Sequence, residues 1–225
     1  MNPLLLALAV LPGLLLSYAI FRADKYEREP LVPLMVCFGL GAAATFPAME
    51  IEKWAFRQLL PDEKGFGAVI AAAFFAVSLN EEVFKFAVLR FAAFPRRFFN
   101  EPLDGIVYSV LVSMGFATME NVFYAHRFGM ETVLLRAFTA VPAHLAFAVV
   151  AGYYAGLAKF ALVRRSRLLW QGFGMAFLLH GVYDFLILQS WSDWLFVLAT
   201  LTLYVCLFYC NNLIRHHLDN SPFKA

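Results

Sequence analysis

Cysteine is scarce in this 225-residue chain. There are three, Cys37, Cys206 and Cys210, with no Cys-x-x-Cys pair and no zinc-knuckle spacing to histidine. All three fall in apolar runs, which excludes a disulfide framework and reads them as small apolar side chains. Charge is scarce as well: 15% of residues are Asp, Glu, Lys or Arg, and the formal net charge is +2. No polybasic or aromatic-basic tract is present, so nothing in the chain addresses nucleic acid. Internal repeats and low-complexity segments are missing, which removes the paired-repeat signature of many transporters. The first apolar run has no basic residues ahead of it and no small-residue cleavage site, so it reads as a retained helix and not as a signal peptide.

What remains is apolar. Hydrophobic residues make up 62% of the chain, with 25 Phe, where soluble domains hold about 45–50% apolar residues. Several runs approach the roughly 20 residues that a bilayer span needs. The expected fold is therefore all-α, a polytopic transmembrane helical bundle forming one domain over residues 1–225. Seven spans are expected: Pro3–Phe21, Leu31–Met49, Phe66–Arg90, Gly105–Ala125, Thr132–Ala158, Leu168–Leu188 and Trp194–Cys210. Between the second and third, Glu50–Lys64 mixes charge with Trp54, Phe56 and Leu59 and is expected to lie on the membrane surface as an amphipathic interfacial segment. Glu50 and Glu52 are assigned to that surface, and His126, His216 and His217 to solvated edges or the tail. Twelve Lys and Arg fall in the odd-numbered connectors and C-terminal tail and five on the other face; with Lys85 inside a span these account for all 18. Cytoplasmic loops carry the basic excess, so the N-terminus is expected outside and the C-terminus in the cytoplasm.

The polar residues inside the spans carry the chemistry. Ser78–Arg90 reads SLNEEVFKFAVLR and places Glu81, Glu82 and Lys85 in an otherwise apolar helix. A charged side chain at the bilayer centre costs about 2.5–3.5 kcal/mol on insertion scales, so such groups mark functional sites. Lys85 lies three and four residues from the two carboxylates, within reach of either on a helix. The fourth span adds Glu120 and Asn121, the fifth His144, and the sixth His180 with Asp184 four residues later on the same face. At about 1.5 Å of rise per residue, four helices deliver these groups between the middle and the outer half of the bilayer. One shared, water-accessible site is expected. A desolvated carboxylate there suits a general base, paired histidines suit metal binding or proton transfer, and Asp184 can orient the His180 ring. Asp104 is expected to cap the fourth span.

This order of motifs resembles the PrsW-type intramembrane proteases, a family related to the CAAX prenyl endopeptidases and bacteriocin-processing enzymes. The residues that carry the resemblance are EEVFK at 81–85, DGIVY at 104–108, FATMEN at 116–121, His144 and HGVYD at 180–184. The motif-bearing core covers about residues 66–188. The resemblance implies hydrolysis of a peptide bond in a membrane-anchored protein, with an anti-sigma factor as the family's substrate, in the bacterial cytoplasmic membrane. Two mechanisms remain open at this point. Glu81 or Glu82 activates water without metal, with His144 or His180 assisting and Asn121 stabilising the oxyanion. Alternatively Glu120, His144 and His180 hold Zn²⁺ with an open water position, and Glu81 or Glu82 is the base. The competing readings are a proton- or ion-coupled transporter, built from the same buried Glu and His groups, and a catalytically silent scaffold for a partner helix.

Overall fold

The computed structural model describes residues 2–60 and 65–224. Helices run α1 Pro3–Ala23, α2 Leu31–Gln58, α3 Phe66–Ala93, α4 Pro102–Phe128, α5 Met130–Phe138, α6 Ala140–Phe160, α7 Arg165–Leu188 and α8 Asp193–Asp219. Counting Met130–Phe160 as one path through the bundle, seven helices among the described residues are long and apolar enough to cross a membrane. No strand occurs among the described residues. The chain is an integral membrane protein.

Helix α4 is the axle. In its apolar window 83% of residues are buried, against 22% in α1 and 17% in α8, whose remaining apolar faces are left for lipid. Small residues bring the neighbouring backbones onto α4. A Cβ on Gly41 would collide with the Val112 carbonyl, one on Gly115 with the Phe38 carbonyl, and one on Gly105 with the backbone of Gly152 and Gly156. Close approach through glycine is how transmembrane helices gain packing where lipid offers no hydrophobic drive. Thr45 Oγ1 also donates to the Phe116 carbonyl at 3.2 Å, crossing from α2 to α4. Gly115→Val is therefore expected to lower stability by about 1–3 kcal/mol or more, the range for overpacking a filled interface. A drop in the thermal unfolding temperature of the detergent-purified protein measures it.

Helix α3 is irregular on either side of its charged turn. Residues Ala71–Leu79 and Leu89–Ala93 are π-helical and flank the α-helical Asn80–Val88. Widened turns of this kind re-aim the side chains that follow and are frequent at functional sites. Two hydrogen bonds hold the segment in place: Ser78 Oγ to the Phe177 carbonyl on α7, 2.7 Å, and Asn80 Nδ2 to the Ala48 carbonyl on α2, 2.7 Å.

Several details differ from the sequence reading. Helix α2 does not end at Met49 but continues to Gln58, so most of the segment expected on the membrane surface is its last turns; residues 61–64 lie outside the described residues. The fifth span is interrupted at Thr139, where Pro142 has no N–H to give the preceding turn and Thr139 Oγ1 bonds the Leu135 carbonyl at 2.8 Å. His217 is not solvated: it is 1% exposed, and its Nε2 lies 3.1 Å from the Tyr153 carbonyl oxygen. Asp104 does cap α4, its Oδ2 accepting the backbone N–H groups of Asn100 and Glu101 at 2.7 and 2.8 Å.

Candidate active site

The charged turn of α3 meets α4, α6 and α7 in one buried network. Lys85 Nζ lies 3.0 Å from Glu81 Oε2, 2.9 Å from Glu82 Oε1 and 3.0 Å from His144 Nδ1. An ammonium has no lone pair to offer, so Nδ1 of His144 accepts and the ring proton sits on Nε2. Nε2 then donates to Glu120 Oε2 at 3.1 Å. The same Glu120 oxygen is 2.6 Å from Arg136 Nη2, and Arg136 Nε donates to Asn121 Oδ1 at 2.7 Å. On the other side His180 Nδ1 is 2.9 Å from Glu82 Oε1, while its Nε2 is 3.1 Å from Asp184 Oδ2 and 4.0 Å from Glu81 Oε2. Phe147 stacks on the His180 ring with centroids 4.8 Å apart. All eight residues singled out in the sequence thus belong to one connected cluster.

The two adjacent glutamates face different spaces. Glu81 lines a cavity of about 300 Å³ together with Glu120, His144, His180 and Asp184. Glu82 and Lys85 instead line a void of about 20 Å³ on the interior side, next to Ser109 and Ser113. Glu82 touches His180 and Lys85. Asn121 is fully buried and accepts from Arg136.

Sequence reasoning missed two side chains on the cavity wall. Arg136 was counted with the outer connectors, yet the short α5 turns it inward onto Glu120, and its guanidinium carbon sits 3.9 Å from the Tyr124 ring centroid. Glu52 was assigned to the surface, yet with Phe56 it forms the α2 wall of the cavity. An isolated Arg flanked by apolar residues in ETVLLRAFTAVPAH was the available signal for the first. Extending the helical phase of α2 past Met49 would have found the second. Removing Arg136 leaves Glu120 as a buried charge without its cation, a loss of about 3–5 kcal/mol for such pairs. Arg136→Leu should accordingly be markedly less stable by thermal unfolding, and Arg136→Lys less affected.

A metal fits this donor set. Ligand atoms of Glu81, Glu120 and His144, all buried, lie within 4.8 Å of one another. Imidazole and carboxylate are donor types that zinc takes, and His144 would join them by giving up the Nε2 proton now donated to Glu120, with Lys85 moving off Nδ1. Among the described residues, the four carboxylates Glu81, Glu82, Glu120 and Asp184 face only Lys85 and Arg136 as permanent cations, so the described cluster carries surplus negative charge. The expected third ligand, His180, stands beside this group, its ring centroid 5.5 Å from that of His144, with its nitrogens turned to Glu82 and Asp184.

Comparison with known proteins agrees with this geometry. Protease PrsW of Geobacillus kaustophilus is 40% identical over 199 residues, covering 87% of this chain and 86% of that protein. Protease PrsW of Bacillus subtilis is 33% identical over 194 residues, 85% and 86% of the two chains. Protease PrsW of Clostridioides difficile is 33% identical over 225 residues, 96% and 92% of the two. No solved structure matches the chain. The family described as PrsW family intramembrane metalloprotease matches residues 29–210. The chain belongs to that family of intramembrane proteases.

Proposed function

We propose that the enzyme hydrolyses a peptide bond of a membrane-anchored protein in the cavity lined by Glu81, Glu120, His144 and His180, near the extracytoplasmic half of a bacterial cytoplasmic membrane. The observation that carries this reading is the convergence of those four groups, from four helices, on one cavity of about 300 Å³. The cavity lies at the end of the bundle served by the connectors poor in Lys and Arg. With Arg136 drawn into the site, those connectors retain only Lys53, Arg57, Lys64 and Arg127, which supports an extracytoplasmic position. An anti-sigma factor is the substrate class implied by the resemblance of the motifs.

Glu81, Glu120 and His144 are the residues that would hold the metal. A bound Zn²⁺ supplies a Lewis acid that polarises the scissile carbonyl and a water of lowered pKa. His180, set as a donor between the carboxylates of Glu82 and Asp184, gives a proton to the departing amine and recovers one through Asp184, which takes it from the attacking water. Glu82 and Lys85 position the ring and the Glu81 carboxylate. Asn121 and Arg136 hold Glu120 toward the cavity. The reading is tested by co-reconstituting the enzyme with a tagged membrane-anchored substrate and following fragment release on gels. Cleavage by the wild type and none by Glu81→Gln is the expected result. Equal rates for the two would end the assignment.

A further inference from the structure

The opposite end of α4 carries a second group of carboxylates. Asp24, Glu27 and Glu29 come from the α1–α2 connector, Glu101 from the N-cap of α4, and Asp104 from its first turn. Asp104 and Glu120 are 16 residues apart on this helix, about 24 Å at the α-helical rise, so the two clusters are separate sites. Asp24, Glu29, Glu101 and Asp104 are only 0–2% exposed. Among the described residues no ion pair reaches any of the five. Nearby basic groups are engaged elsewhere: the Arg28 guanidinium lies over the Phe21 ring at 5.9 Å, and Lys159 donates to the carbonyls of Phe94 and Arg96.

Some of the carboxylate oxygens have partners. Asp104 Oδ2 takes two backbone N–H groups, Glu27 Oε1 accepts from Asn100 Nδ2 at 3.3 Å, and Glu29 Oε2 accepts from the Tyr108 hydroxyl. The others do not. Among the described residues both oxygens of Asp24, with Glu27 Oε2, Glu29 Oε1 and Asp104 Oδ1, are buried without a hydrogen-bond partner, while the Glu101 side chain faces the Asp104 backbone N–H in a capping box. A buried carboxylate without compensation is strongly unfavourable, and here several are gathered in one place. Their donors converge: ligand oxygens of Glu27, Glu101 and Asp104 lie within 4.8 Å of one another. An all-oxygen, all-anionic set matches hard cations and not soft ones.

We propose that this cluster binds a hard divalent cation, Ca²⁺ or Mg²⁺, through Glu27, Glu101 and Asp104, with Asp24 and Glu29 completing the anionic shell. The ion would clip the α1–α2 connector to the start of α4. The inference does not depend on the catalytic reading, since no residue is shared between the two clusters.

The test is thermal unfolding of the full-length protein in detergent, first in chelator and then titrated with Ca²⁺ or with Mg²⁺. A saturable rise of about 5–10 °C is expected at a hundredfold excess over Kd. Response to Ca²⁺ alone indicates a flexible site made mostly of protein oxygens, and response to Mg²⁺ alone a tighter octahedral site that retains waters. Glu27→Gln and Asp24→Asn should lose most of the rise while unfolding in chelator at or above the parental temperature, because each removes a repelled charge from the cluster, buried at Asp24 and half-buried at Glu27. Glu81→Gln should keep the full rise. No response to either ion, or an undiminished response in both Glu27→Gln and Asp24→Asn, overturns the proposal.

Discussion

Glu81→Gln will reduce substrate cleavage by about 10³-fold or more, and Glu82→Gln by about 10–100-fold. The glutamine keeps the volume of the side chain and removes its charge, so packing of α3 is preserved and the change reads chemistry. Glu81 stands on the cavity wall, 4.0 Å from His180 Nε2, and removing a group in direct contact with the reacting atoms costs about 10²–10⁴ in rate. Glu82 is shielded from the cavity and holds His180 Nδ1 and Lys85 Nζ, both at 2.9 Å. Groups that orient a catalytic or ligating residue contribute roughly 10–100-fold. Initial rates of fragment release in proteoliposomes, with expression and unfolding temperature matched, give the comparison. The reverse order of the two effects would place the reacting group on the interior side of α3.

Metal content is expected to separate His144 from His180. Elemental mass spectrometry of the purified wild type should find close to one zinc ion per chain, counted separately from any Ca²⁺ or Mg²⁺. His144→Ala, Glu120→Gln and Glu81→Gln should each be depleted, since these residues supply the donor atoms that lie within 4.8 Å of one another. His180→Ala should retain its metal and still fail to cleave, because both His180 nitrogens are turned to carboxylates, Glu82 and Asp184. Loss of metal in His180→Ala with retention in Glu81→Gln would assign the ligands to Glu120, His144 and His180 and return Glu81 to the role of base. Metal-free protein that cleaves at full rate would leave Glu81 to activate water unaided.

Much of this was readable before any coordinates. Long apolar runs give spans because a bilayer leaves backbone groups no partner but each other, and ionisable groups inside such runs stand out against them. Glu81, Glu82, Lys85, Glu120, His144 and His180 were visible for that reason. Arg136 and Glu52 were not, because each sits near the end of an apolar run, where a charge is cheap and carries little information. The π-helical turns of α3 were hidden too: AAAFFAVSL has no side chain that distinguishes one helical pitch from another. The facing directions of Glu81 and Glu82 follow from that pitch, so sequence alone left them equivalent. Depth along the spans predicted a common site but could not say which donors touch, since helix tilt and the break at Thr139 shift each by several ångströms.

The glycine contacts of α4 bear on how a substrate reaches the cavity. Backbone rests on backbone at Gly41, Gly105 and Gly115, so α4 can neither roll nor slide without forcing main-chain atoms together. It acts as the stator of the molecule. The travel needed to admit an extended polypeptide must come from the lipid-facing rim, where α7 and α8 are only 28% and 17% buried over their apolar windows. Phe196 of α8 already stands at the cavity edge. Membrane thickness and fluidity act on such a rim directly, so turnover in proteoliposomes is expected to change with the acyl-chain length of the lipid.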